Sequence, residues 1–183
     1  MKKRLLIALF ILATLAQFAV PSSMIYKYET VLGNGEVFRF KTAPVDPSDP
    51  FRGKYVTLSI ENDSVKNTGH LFSYGESVFL VVENDKDGFA YFSKASKEKP
   101  ATSNYYKTRC KWADGGEIRV QIGFDRYYMN EEKAPEAERR YNARRSKDAS
   151  PSWVSVRILN GTAVIEDLFI NGVSVNELLK GTR

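Results

Sequence analysis

The first twenty-five positions are almost uniformly apolar, whereas from position 36 onward apolar and polar residues alternate. That change of pattern divides the chain. Leu5 to Val20 (LLIALFILATLAQFAV) carries no charge, and counting on to Ile25 gives about 21 residues. At 1.5 Å per residue, such a helix spans a hydrocarbon core of about 30 Å. Met24, Ile25, Tyr28, Val31 and Leu32 continue at helical spacing. One helix is therefore predicted to leave the membrane and stop at Gly33, a residue type that favours helix C-termini.

Beyond Glu36 the period is two. Phe38 and Phe40 alternate with Arg39 and Lys41; Val56, Leu58 and Ile60 with Thr57 and Ser59; Ile118, Val120 and Ile122 with Arg119 and Gln121; Val154, Val156 and Ile158 with Ser155 and Arg157. Each pattern marks a strand with one buried and one wet face, as in antiparallel sheets. Asp87-Gly88, Asp114-Gly115-Gly116 and Asn160-Gly161 supply the residues that tight hairpins favour. Eight strands are predicted, over 36–42, 53–61, 77–84, 88–94, 104–112, 117–123, 152–159 and 162–170. The expected fold is mainly β: an antiparallel barrel or sandwich behind an N-terminal transmembrane helix. Segment 131–150 is charged and alanine-containing, and it is predicted as a helical or irregular insertion. Residues 1–33 form the cytoplasmic stub, anchor and helical extension; residues 34–183 form the β domain.

Charge adds orientation. The formal net charge is +5, and Lys2, Lys3 and Arg4 supply three of those charges. Their position predicts a cytoplasmic N-terminus in an inner membrane, with the domain outside. A cleaved signal peptide is the rival reading, but no A-x-A triplet ends the apolar run and Pro21 interrupts the place for one. The remaining +2 is too small for a nucleic-acid footprint, so no nucleic-acid partner is expected. Arg139, Arg140, Arg144 and Arg145 invite acidic headgroups, but Glu131, Glu132, Glu136 and Glu138 balance them.

Chemistry is sparse. Cys110 is the single cysteine, so no internal disulfide forms. Between Arg109 and Lys111 it is either an activated thiol or, as small buried cysteines usually are, an apolar filler on a strand's inner face. One histidine, His70, and one cysteine exclude an ordinary zinc site, and neither metal nor cofactor is expected. Glu83 to Gly88 resembles a calcium loop superficially, but Lys94 occupies the position of the required glutamate.

The run from Lys41 to Ile60, KTAPVDPSDPFRGKYVTLSI, is the most informative. Pro44, Pro47 and Pro50 stiffen this connection by fixing φ repeatedly. It presents Asp46, Asp49 and Arg52, then Gly53 and Tyr55 at the next strand. Either the aspartates accept local backbone hydrogen bonds and Arg52 pairs with one of them, or the rigid loop carries a binding site. Asp125-Arg126-Tyr127-Tyr128 is expected nearby, with Arg126 bridging Asp46 or Asp49.

These residues resemble the signature of the GDYXXLXY protein family. Gly53, Tyr55 and Leu58 match its Gly, Tyr and Leu, while Lys54 replaces the Asp and Ile60 the final Tyr. The TAPVDPxDPFRG run, the Gly123–Tyr128 segment and the closing Asn171-Gly172 extend the likeness over most of the chain. The resemblance implies an envelope domain, in some cases accompanied by a polytopic membrane domain, and assigns no activity. Three functions stay open. The first is a binding module for a membrane or periplasmic partner. The second is a glycan- or small-ligand-binding barrel using Tyr105, Tyr106, Tyr127 and Tyr128 as stacking surfaces. The third is a carboxylate-dependent hydrolase using Asp46 and Asp49.

Overall fold

A computed structural model describes residues 2–43, 55–66, 71–114, 116–142 and 151–180. Helix α1, Lys2–Asn34, runs unbroken through Pro21. It is long and apolar enough to cross a membrane. Its apolar side chains point away from the body, and Val31 is its first buried residue. The helix passes the predicted stop at Gly33, which has open space around it; the residue that must be small is Gly35. Its N–H donates to the Val31 carbonyl at 2.8 Å, and a Cβ there would lie 2.5 Å from that same oxygen.

The strands are β1 (Glu36–Ala43), β2 (Tyr55–Thr57), β3 (Ser59–Ile60), β4 (Ser64–Lys66), β5 (Ser77–Asn84), β6 (Ala90–Ser96), β7 (Tyr105–Ala113), β8 (Glu117–Val120), β9 (Arg126–Tyr128), β10 (Ser152–Leu159), β11 (Thr162–Ile170) and β12 (Val173–Ser174). They pair as β12-β11-β10-β1-β3, β2-β9 and β4-β8-β7-β5-β6, all antiparallel. Further bonds bring these pieces into one nearly closed, barrel-like sheet. Leu58 donates its N–H to the Asp125 carbonyl at 2.8 Å, and Val120 donates to Asp63 at 3.0 Å. At the closing seam, Lys107 donates to the Gly161 carbonyl at 2.9 Å. The bulges at Ser155/Val156, Val81/Val82 and Cys110/Trp112 supply the bending that closure demands.

The mainly β expectation is met, with more and shorter strands. Among its described residues, the predicted strand 53–61 divides into β2 and β3 because its partner changes at Leu58, from β9 on one side to β1 on the other. Its side chains still alternate, so the period persisted while the pairing broke. Strands β4, β9 and β12 were missed because two or three residues cannot display a period of two. Within the predicted insertion, helix α2 covers Ala134–Asn142 and buries Ala134, Ala137 and Tyr141. Their spacing of three and four residues places them on one face. Tyr141 donates its hydroxyl hydrogen to the Ala43 carbonyl at 2.8 Å, fastening α2 to the end of β1. A short helix α3, Val175–Leu178, is capped by the Ser174 side chain.

The inward positions fill one core. The Phe40 ring is completely buried and lies 5.3 Å from Phe92 and 5.2 Å from Phe124. Cys110 belongs to this core, and burial pushes its thiol pKa up. It is the filler, since a reactive cysteine needs the opposite shift. Glu136 is drawn down to about 2, chiefly by its hydrogen bonds from Arg139 and Arg140 at 2.8 and 2.6 Å. Those two cations thus share one carboxylate on α2; Arg144 and Arg145 lie outside the described residues.

Candidate functional site

Asp46, Asp49, Arg52 and Gly53 fall outside the described residues, as does any bridge from the two aspartates to Arg126. Tyr55, Arg126 and Tyr127 are placed, all on the β2–β9 ribbon. Its register sets Tyr55 opposite Tyr128, Val56 opposite Tyr127, and Thr57 opposite Arg126. Because strand side chains alternate, Val56 and Tyr127 turn inward while Tyr55, Arg126 and Tyr128 share the outer face. The three predicted residues therefore divide into two arrangements.

On the outer face the Arg126 guanidinium carbon sits 5.1 Å above the centre of the Tyr55 ring. Tyr55 and Tyr128 lie 5.5 Å apart, with their rings tilted by 57°. Arg126 pKa is raised, first by a hydrogen bond with Tyr128 and then by the charge of Asp125, whose carboxylate lies 3.9 Å from its Nε. Half-exposed side chains make that ion pair weak. The guanidinium is held instead by its stacking over Tyr55 and its hydrogen bond with Tyr128. Tyr128 is 66% exposed while touching Tyr55 and hydrogen-bonding with Arg126. An open cleft of about 530 Å³ shares Asp125 with this face and is also lined by Asp63, Tyr74, Arg109 and Lys111.

On the inner side, Tyr127 donates its hydroxyl hydrogen to Asp167 Oδ1 at 2.9 Å. The same carboxylate accepts from the Leu168 N–H at 2.8 Å, the Ser174 hydroxyl at 2.5 Å and Asn176 Nδ2 at 3.2 Å. Asn176 Nδ2 also donates to the Tyr127 oxygen, at 3.0 Å. Four donors hold Asp167, three on Oδ1 and one on Oδ2, and no imidazole or thiol stands beside it among the described residues. It is a clasp binding β9, β11 and the start of α3. Asp167, Ser174 and Asn176 were not anticipated. The available signal was Asn171-Gly172, a second Asn-Gly turn with φ of 54° and 79°, which folds β12 back so that Ser174 faces Phe169.

Burial, followed by the Asp167 charge, pushes the Tyr127 pKa up to about 12. An unfolded tyrosine ionises near 10. Between those values the unfolded chain has released a proton that the folded chain still holds, so stability falls as pH rises through that window. The Tyr127→Phe variant is expected to show a shallower alkaline loss of stability than wild type. Urea midpoints measured between neutral pH and pH 12 check this, and identical slopes would reject it.

The four-tyrosine platform is not formed. Tyr105, Tyr106 and Tyr127 are buried, and Tyr128 alone of the four is exposed. Consecutive tyrosines on a strand face opposite ways, so each pair was bound to split. No group of three or more His, Cys, Asp or Glu among the described residues is arranged to hold a metal. In comparison with known proteins, the GDYXXLXY protein family matches residues 17–168. No curated protein and no solved structure matches the chain.

Proposed function

Because the chain belongs to the GDYXXLXY protein family, we propose that it is a single-pass inner-membrane protein whose extracytoplasmic domain binds a membrane or periplasmic protein through the Tyr55–Arg126–Tyr128 face. The observation that carries this reading is an exposed arginine laid over Tyr55, two positions beyond the family's signature glycine Gly53, and hydrogen-bonded with Tyr128. Tyrosine and arginine are the residue types that dominate binding energy in protein interfaces, above all when they are ordered before the partner arrives. Glycan stacking is less well served: the rings tilt 57° from each other and Arg126 covers one of them, so they make no flat platform.

The anchor supports the location. Leu5, Leu6, Ile7, Leu9, Phe10 and Ile11 are each more than half exposed, an apolar surface far better matched by lipid than by water. Tyr26, Lys27 and Tyr28 follow, residue types that favour the membrane–water interface. We read α1 as uncleaved, and a mature N-terminus near residue 24 would reject that.

The test is cross-linking in intact membranes followed by affinity capture of the full chain. We expect a defined membrane or periplasmic protein to be captured reproducibly, and the Arg126→Ala/Tyr128→Ala variant to lose it. Each anchor truncation is expected to cost about 2 kcal/mol of binding, roughly thirtyfold in affinity, with little change in thermal stability. Equal capture by wild type and variant would overturn the assignment of this face.

A further inference from the structure

The junction between helix and barrel fixes where the body stands. Ile25 ends the apolar run and Val31, six positions later, is buried in the body, about 9 Å further along the axis. The polar layer of a bilayer is about 5–8 Å thick on each side. The helix therefore enters the barrel within or just above the headgroups. No linker intervenes: β1 starts at Glu36, two residues after α1 ends, and Arg157 Nη1 donates to the Gly35 carbonyl at 3.2 Å.

Two grooves bring the β10–β11 turn level with the interfacial residues of the helix. One, of about 380 Å³, is lined by Tyr26, Lys27, Thr30 and Val31 on α1, facing Leu159, Asn160 and Thr162. The other, of about 360 Å³, sets Lys27 and Tyr28 against Tyr106, Lys107 and the 160–163 turn. The charge here is basic. Lys27 and Lys107 line the second groove, and Lys99 lies over the neighbouring Tyr105 ring. Of the nearby acids, Glu166 is paired with Arg157 at 2.7 Å, and Glu36, which keeps its charge, is turned to Asn104 Nδ2 at 2.5 Å and lines neither groove. Glu29 lines neither groove.

We propose that the β10–β11 end of the barrel is seated in the outer-leaflet headgroup layer, with Lys27 and Lys107 contacting the phosphates of anionic phospholipid. This rests on α1 spanning the membrane. The body is then held against the bilayer by a rigid joint on one side and by charge on the other, and does not swing on its tether.

The full chain, with Cys110→Ala to leave one labelling site, is reconstituted in phosphatidylcholine vesicles with and without phosphatidylglycerol. Nitroxide labels go on Thr162→Cys, at the turn, or Trp112→Cys, on β7 five positions beyond Lys107 and about 17 Å away along the strand. Collision with a nickel-chelating headgroup lipid is the readout. The Thr162 label is expected to collide severalfold more than the Trp112 label, with the ratio rising in phosphatidylglycerol and falling in a Lys27→Glu/Lys107→Glu variant. Equal collision at both sites, or a ratio indifferent to anionic lipid and to the lysines, in chains that resist alkaline carbonate extraction overturns this inference and leaves the anchor standing. Release by carbonate overturns both.

Discussion

Phe40→Ala is expected to cost about 3–5 kcal/mol of folding stability, the usual price of emptying a fully buried phenylalanine site. The ring is inaccessible to solvent and touches Phe92 on β6 and Phe124 just before β9, while its own strand pairs with β10 and β3. Three separated parts of the chain meet on this one side chain, so neighbouring groups cannot collapse into the gap without moving strands. Against a total stability of about 5–15 kcal/mol typical of such domains, that loss is a large fraction of the whole. Urea denaturation at neutral pH reads the effect, and Arg39→Ala on the opposite face of the same strand serves as reference. A Phe40→Ala loss no larger than that of Arg39→Ala would show that Phe40 is not central to the core.

Gly161→Ala is expected to cost about 2–4 kcal/mol, from backbone strain and overpacking together. Gly161 has φ of +84°, and a Cβ there would meet Tyr105 Cε2 at 2.6 Å and Lys107 Cβ at 3.0 Å. Both contacts lie at the seam where Gly161 accepts the Lys107 N–H. Gly172 supplies the control, since its φ is +79° but nothing lies within 4 Å of its would-be Cβ. Gly172→Ala therefore carries only the strain, about 1 kcal/mol. The excess of the first variant over the second measures the seam, and hydrogen exchange at the Lys107 amide should quicken in Gly161→Ala alone. Equal losses in the two variants would mean that the seam adds nothing to barrel stability.

What could be read from the chain was whatever repeats. The apolar run of α1, the alternation in β1, β2–β3, β8 and β10, and the Asn160-Gly161 turn each extend over enough residues, or demand rare enough backbone angles, to be recognised locally. Closure was not legible, because the bond from Lys107 to Gly161 joins positions whose local sequences say nothing of each other. The break at Leu58 was hidden for a related reason: Val56, Leu58 and Ile60 keep facing inward while their neighbours change. On the candidate site, Tyr55 and Arg126 stand out in two separate motifs and touch in the structure, whereas Tyr127 enters only by adjacency to Arg126. A strand sends adjacent residues to opposite faces, and Tyr127 serves the Asp167 clasp instead.

The register of β1 also bears on how the protein is made. Glu36 pairs with Ile158, 122 positions later, and Thr42 with Ser152, 110 later. At 5–20 residues per second, β1 leaves the ribosome on the order of ten seconds before its main neighbour exists. Only the end from Lys41 to Ala43 finds partners earlier, at β3 and Glu61. For that interval most of an apolar strand offers an open hydrogen-bonding edge to any nearby chain. Slower elongation lengthens the exposure, so the nascent chain, more than the finished barrel, is the form most vulnerable to aggregation.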